Sequence, residues 1–171
     1  KRKRNSAAKP TTTKNKPTIA NLPHRKFLHM ITYDSINLAL PDIDTASTTA
    51  WVKAVAAAHG KRCGNIAYIF VDDEKILEVN REFLQHDYYT DIITFDYTTR
   101  SRVNGDIYIS LDTVQSNAEQ EGTTFVHELH RIIIHGLLHL TGQGDKTPET
   151  KVEMTAKEDS ALKKIPHLLQ E

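Results

Sequence analysis

The stretch Phe125-Val-His-Glu-Leu-His-Arg-Ile-Ile-Ile-His-Gly-Leu-Leu-His-Leu140 has apolar residues at helical spacing over most of its length. The apolar stripe is wider than a surface helix needs, so we expect this helix to be covered by other elements and to lie in the middle of the fold. Thr123 or Thr124 can cap its start. Gly142 suits the left-handed position just beyond its end.

Strand and helix patterns alternate on both sides of this stretch. We predict strands at residues 31–39, 66–71, 91–97 and 105–110. We predict helices at residues 45–59 and at residues 111–120. Another helix should begin after a cap at Asp72 or Asp73, and a last one should run from the Thr147-Pro148 pair to about Lys164. This order predicts one domain in which helices pack against a sheet.

Length and composition narrow the class of protein. The chain has 171 residues, 39% of them hydrophobic, which is ordinary for one globular domain with a core. The single cysteine, Cys63, excludes an internal disulfide framework and favours a reducing, cytoplasmic location. Because no apolar run approaches about 18 residues, we expect no membrane span. No secretory signal is recognisable either.

Charge is distributed unevenly along the chain. Residues 1–29 contain nine Lys or Arg and no acid, which leaves thirteen cations against 22 acids in the remaining residues. We predict a basic, disordered arm at residues 1–29, a domain at residues 30–165 and a tail at residues 166–171. The arm either binds nucleic acid or is an upstream extension before a start at Met30.

The most informative pair is His135 and His139, four residues apart on the predicted helix. A step of four residues turns by about 40° and rises about 6 Å, so both imidazoles leave one face and can bind one metal ion. Asp145 follows six residues later and is a candidate third ligand, with Glu149 as its nearest competitor. Two histidines and a carboxylate with an open position for water form a recognised catalytic zinc pattern.

A peptidase is less consistent with these residues. Zinc peptidases of the H-E-x-x-H type carry a Glu after the first ligand, and here that place is Gly136. The similar His127-Glu-Leu-His-Arg131 segment lacks the second histidine, because Arg131 occupies its position.

Elsewhere in the sequence, Arg81 is either a solvated helix charge or a phosphate clamp. The polar and aromatic residues 86–91 either line a cleft or connect two elements.

Four motifs together resemble the YbeY family of bacterial endoribonucleases. The histidine motif is similar to the family pattern H-G-x-L-H-L-x-G-Y-D-H, and the resemblance covers about residues 30–165. The other matching segments are Asn80-Arg-Glu-Phe-Leu84, Tyr89-Thr-Asp-Ile-Ile-Thr-Phe95 and Gly105-Asp-Ile-Tyr-Ile-Ser110. The resemblance implies an α/β (α+β) fold with a mixed four-stranded sheet and a central metal-binding helix.

The resemblance also implies an activity. It implies a metal-dependent, single-strand-specific endoribonuclease in ribosomal RNA maturation and ribosome quality control, with one metal ion, usually zinc. Carried over by position, His135 and His139 are ligands and catalytic groups, and Arg81 faces the metal as a catalytic cation. Asp145 occupies the place of the usual third histidine. A carboxylate there lowers the charge of the site by one and favours harder metals.

Partners and alternatives follow from the same residues. The implied partners are single-stranded RNA, ribosomal RNA, and the ribosome or a ribosome-associated protein. An acidic body is unusual for an enzyme that binds phosphates, so we expect either a local basic cleft around Arg81, Arg100 and Arg102 or a partner that brings the RNA. A metal hydrolase of another substrate and a non-catalytic ribosome-assembly factor stabilised by its metal are the alternatives.

Overall fold

A computed structural model of the chain describes residues 30–168, so the predicted arm and residues 169–171 of the predicted tail lie outside the described residues. The element order agrees with the sequence prediction. In chain order the elements are β1 (Ile31–Ser35), α1 (Thr45–Ala58), β2 (Arg62–Val71), α2 (Asp73–Leu84), β3 (Ile92–Asp96), β4 (Arg102–Ser110), α3 (Leu111–Glu121), α4 (Phe125–Leu140), α5 (Pro148–Leu162) and a short 3-10 helix (Pro166–Leu168).

The four strands form one mixed sheet in the order β1-β2-β4-β3. β1 pairs parallel with β2, and β2 pairs parallel with β4, whereas β3 pairs antiparallel with β4 at the edge. The predicted mixed four-stranded sheet is therefore confirmed.

Two strands begin earlier than the sequence pattern predicted. Arg62 pairs with Arg102, so β2 and β4 extend through polar residues before their apolar cores start. Strand pairing uses backbone groups and does not require apolar side chains. A pattern of apolar residues therefore does not reveal these polar strand starts. β1 is shorter than predicted, since its last residue Ser35 donates its hydroxyl to the Leu38 carbonyl in a turn that places Asn37 at φ +65°.

Successive side chains of β2 alternate between two layers, as expected for a strand covered on both faces. Tyr68 and Phe70 belong to the core that contains residues of α1, α4 and α5. Ile69 and Val71 belong to the core that contains residues of α2. The long helix α4 therefore lies on the opposite face of the sheet from α2. No helix within residues 30–168 has the length and apolar character to span a membrane.

Gly105 allows α4 to approach the sheet closely. A Cβ atom at this position would lie 2.6 Å from the Phe95 carbonyl oxygen and 2.7 Å from Leu140 Cδ2. The first neighbour is backbone of the adjacent strand and the second is the last residue of α4. The contact therefore fixes the carboxyl end of α4, where the two histidines lie, against β3 and β4.

We predict that Gly105→Ala lowers the free energy of unfolding by about 1–3 kcal/mol, the usual effect of overpacking a well-packed site. Chemical denaturation at neutral pH measures the effect. Gly144→Ala is the matched control, because a Cβ atom there meets nothing within 4 Å. Equal stabilities of the two variants would show that the contact with Leu140 does not constrain α4.

Candidate metal centre

The two histidines predicted as ligands meet at the buried end of α4. The helix begins after Thr124, whose hydroxyl accepts a hydrogen bond from the backbone N–H of His127. Near the other end, the Nε2 atoms of His135 and His139 lie 2.9 Å apart, and the ring planes are 85° from parallel. Both residues are more than nine-tenths buried. The predicted convergence of the two imidazoles is therefore present.

Asp145 reaches the same point from the loop between α4 and α5. Its Oδ2 atom lies 3.8 Å from His135 Nε2 and 3.7 Å from His139 Nε2. The loop turns at Gly142, which has φ +103° and donates its backbone N–H to the His139 carbonyl at 2.9 Å. The loop ends at Thr147, which caps α5. The competitor Glu149 is exposed in the first turn of α5.

Hydrogen bonds fix the orientation of both imidazoles. His135 Nδ1 donates to Glu158 Oε1 at 2.5 Å, and His139 Nδ1 donates to the Gln143 carbonyl at 2.8 Å. In neutral rings this leaves the lone pairs of both Nε2 atoms directed at each other. Two lone pairs at this separation repel unless a cation or a proton lies between them. The two histidines are therefore arranged as metal-binding histidines usually are, with the nitrogen that does not face the metal hydrogen-bonded to a carboxylate or a carbonyl.

The dimensions of the group also fit a metal ion. Tetrahedral zinc has ligand bonds near 2.1 Å, which places ligand atoms about 3.4 Å from one another. The three separations between His135, His139 and Asp145 bracket that value, and all their ligand atoms lie within 4.8 Å. Asp145 Oδ1 is buried and has no hydrogen-bond partner among the described residues. A buried carboxylate oxygen without a donor is costly, and a cation would satisfy the carboxylate.

A buried chain of charges extends from the site between α4 and α5. Glu158 Oε2 accepts a hydrogen bond from Arg131 at 3.2 Å, and Arg131 also donates two hydrogen bonds to Glu128. With Asp145 and neutral histidines, three carboxylates face one guanidinium, which leaves two negative charges uncompensated. A divalent cation would balance them. This charge deficit is independent of the distances and supports the same conclusion.

The environment of His139 favours the form that binds metals. Burial and the neighbouring His135 ring lower the pKa of His139 to about 4, so this imidazole is neutral at physiological pH. Burial by itself would raise the pKa of Glu158, but the hydrogen bond from His135 and the charge of Arg131 outweigh it and lower the pKa. Burial opposes the charge of Arg131, yet its two carboxylate partners raise its pKa above the ordinary value. Neutral imidazoles and ionised carboxylates are the metal-binding forms.

Arg81 lies apart from this arrangement. It belongs to α2, on the other face of the sheet, and its Nε donates to Asp87 at 2.6 Å. The Arg81 side chain is 59% exposed. The ion pair connects α2 to the polar turn of residues 86–91, in which the His86 and Tyr88 rings stack. The predicted role of Arg81 at the metal therefore stays a prediction.

The histidines of the first half of α4 do not join the site. His130 is buried against α1, where its ring lies 5.9 Å from that of Trp51 and its Nε2 lies 3.4 Å from Thr48 Oγ1. His130 Nδ1 donates to the Val126 carbonyl at 2.8 Å. His130 is thus a core residue. His127 is half-buried in the first turn of the helix.

Comparisons with known proteins identify the family of this chain. The sequence profile of the family described as Endoribonuclease YbeY matches residues 36–166. The chain belongs to the YbeY endoribonuclease family. Membership confirms the family resemblance and the enzyme class that the motifs implied.

Curated relatives with the name Endoribonuclease YbeY are similar over most of their length. The protein of Phocaeicola vulgatus is 59% identical over 133 residues, which are 78% of this chain and 96% of the relative. The Bacteroides thetaiotaomicron protein is 58% identical over 132 residues, 77% of this chain and 96% of the relative. The Porphyromonas gingivalis protein is 48% identical over 132 residues, 77% of this chain and 87% of the relative.

A solved structure supports the fold. The solution structure of a Thermotoga maritima protein matches with a TM-score of 0.57 at 24% identity, over 80% of this chain and 89% of the other. This likeness confirms the α+β architecture.

Sequence reasoning missed Glu158. A signal was present, because Glu158 occupies one position of the buried stripe of α5 that Met154, Ala161 and Leu162 otherwise form. An acid on an apolar stripe needs a buried partner. The partner could not be identified from sequence, since His135 is 23 residues away on another helix.

We predict that Glu158→Gln weakens zinc binding about 10- to 100-fold, as for other residues that hydrogen-bond a ligating histidine. Glutamine keeps the size of the side chain but removes the charge opposite His135 Nδ1. Competition with a chromophoric chelator measures the affinity, and thermal unfolding checks that the variant folds. Asp159→Asn is the matched control on the neighbouring, exposed residue. Equal zinc affinities of the two variants would contradict this role of Glu158.

Proposed function

We propose that this protein is a metal-dependent endoribonuclease that cleaves single-stranded RNA, with one zinc ion held by His135, His139 and Asp145. One observation carries the proposal: in a chain of an endoribonuclease family, three buried ligand atoms converge from α4 and the following loop. The buried group around these ligands carries two uncompensated negative charges, which favours binding of a divalent cation over binding of a proton.

The three residues would contribute different kinds of ligand atom to the metal. His135 and His139 supply neutral nitrogen ligands in orientations held by Glu158 and by the backbone of Gln143. Asp145 supplies a negatively charged oxygen from a loop rather than from the helix. When bound, a divalent ion acts as a Lewis acid toward a phosphoryl oxygen or a water molecule. Zinc fits the two nitrogen ligands, while the carboxylate extends the range to harder ions such as Mn²⁺.

The chain places no peptidase base beside the first ligand. Gly136 packs against the sheet, where a Cβ atom would lie 2.9 Å from both Ile107 Cγ2 and Ile92 Cδ1. That position therefore has no room for the Glu of an H-E-x-x-H enzyme. This contact disfavours a peptide substrate and supports the nucleic-acid substrate that the family implies.

The biological setting is proposed from the family. We place the activity in ribosomal RNA maturation and ribosome quality control in the cytoplasm, with the ribosome or a ribosome-associated protein as partner. Because net negative charge repels free RNA, the acidic body favours either a partner that presents the RNA or a local basic surface that binds it.

We predict that His139→Ala abolishes cleavage of a labelled, unstructured RNA, with a loss of about 100-fold or more, the scale of removing a major electrostatic stabiliser. Zinc analysis of the repurified protein should show one ion per chain for the wild type and a reduced content for the variant. The exposed His167→Ala is the control. Casein, tested in parallel, should stay intact.

Two results would each select an alternative. Cleavage of RNA by His139→Ala at the wild-type rate would identify a contaminating nuclease. Loss of thermal stability on zinc removal, without any cleavage by the loaded wild type, would identify a metal that only fastens the loop between α4 and α5.

We predict that Arg81→Ala lowers the turnover rate on RNA about tenfold or more if its guanidinium leaves Asp87 to stabilise a phosphate in the transition state. Asp87→Asn frees the guanidinium and should not lower the rate. Single-turnover kinetics with saturating enzyme measure both variants. An Arg81→Ala variant as fast as the wild type would assign Arg81 to a surface ion pair.

A further inference from the structure

Four cations meet at one end of the sheet, next to the carboxyl end of α4. Arg62 and Arg102 are register partners at the first residues of β2 and β4. The next register pair, Cys63 and Val103, belongs to the core on the α4 side of the sheet, so Arg62 and Arg102 project from the opposite face at the end of the sheet. Lys61 Nζ donates to the Arg100 carbonyl at 3.4 Å, which brings the turn between β3 and β4 to the same place. We call Lys61, Arg62, Arg100 and Arg102 the basic rim.

The charges of the basic rim are not neutralised within the described part of the chain. None of the ion pairs found among residues 30–168 includes one of these four side chains, although Lys75, Arg81 and Arg131 all have acidic partners. Residues 30–168 contain thirteen Lys or Arg and 21 Asp or Glu. A cluster of unpaired cations on an acidic body concentrates positive potential at one end of the molecule.

The basic rim is joined to the metal-ligand group. The hydroxyl of Thr98, in the turn between β3 and β4, donates to the Leu140 carbonyl at 3.3 Å. Leu140 directly follows the ligand His139 in the chain. The turn that carries Arg100 is therefore fastened to the end of the helix that holds the site.

A lysine also lies beside the metal-ligand loop. Lys157 donates to the side chain of Gln143, in the loop between His139 and Asp145. Lys157 therefore adds a positive charge next to the loop that carries Asp145.

We propose that the basic rim binds the phosphate backbone of the single-stranded RNA substrate on its way to the metal-ligand group. This inference rests on the proposed function and adds where the RNA lies. Arginine forks bind phosphate oxygens in pairs, and phosphate contacts position a strand without reading its sequence. Arg81 is a weaker candidate for this task than the sequence indicated, because Asp87 occupies its guanidinium.

The test compares binding and cleavage by a variant that carries both Arg100→Ala and Arg102→Ala. Fluorescence anisotropy with a labelled, unstructured RNA in EDTA measures binding without cleavage. Each lost phosphate contact should reduce the slope of log affinity against log salt by about 0.7, so the double variant should lose about 1.4. With metal restored, KM should rise about tenfold or more, while kcat at saturating RNA stays at the wild-type value.

Two controls separate charge from folding. A variant with Arg100→Lys and Arg102→Lys keeps both charges and should retain most of the salt slope. Lys75→Ala removes one charge on α2 and should leave RNA affinity unchanged, whereas Arg100→Ala alone should lower it. Thermal unfolding confirms that each variant is folded.

The outcomes distinguish this inference from the proposed function. If the wild type cleaves RNA while the double alanine variant keeps its affinity and salt slope, the basic rim is not the RNA surface and the proposed function stands. If the metal-loaded wild type neither binds nor cleaves RNA, the proposed function itself is wrong, and the inference with it.

Discussion

The hydrogen bond from His135 to Glu158 is the interaction on which the rest of this structure depends. It connects the central helix to α5 across a buried interface and fixes which ring nitrogen of His135 faces Asp145. Without a partner, a carboxylate buried at that position would be strongly destabilising. Arg131 supplies a second partner to Glu158. The same pair of contacts therefore joins two helices and orients a ligand.

Much of the fold could be predicted from the sequence because its elements are locally encoded. The apolar stripe of residues 125–140 and the caps at Thr124 and Thr147 indicate their helices without reference to distant residues. The starts of β2 and β4 could not be predicted in this way, because the pairing of Arg62 with Arg102 is set by strand order. Sheet order is a property of the whole chain and leaves little trace in a short window.

The same distinction applies to the site. His135 and His139 could be found because one helix sets their spacing, and Asp145 because a short loop limits its reach. Glu158 could not be found, since its contact with His135 forms only in the folded chain. A basic cleft with Arg100 and Arg102 was expected from the sequence, but the addition of Lys61 and Arg62 depends on how the strands pair. An acid on the apolar stripe of α5 indicated that some partner existed, but not which one. The convergence of the three candidate ligands was therefore predictable, but most of their surroundings were not.

Charge balance connects the ligand set to the need for a separate RNA surface. An imidazole in place of Asp145 would leave the loaded group with a net positive charge, which would itself attract a polyanion. With Asp145, Glu158 and Glu128 against Arg131, a divalent ion brings the group only to neutrality. A neutral centre in an acidic body holds its metal well but exerts little attraction on RNA at a distance. The unpaired cations of the basic rim supply the attraction that the metal-ligand group lacks, and the Thr98 contact with Leu140 keeps them beside it.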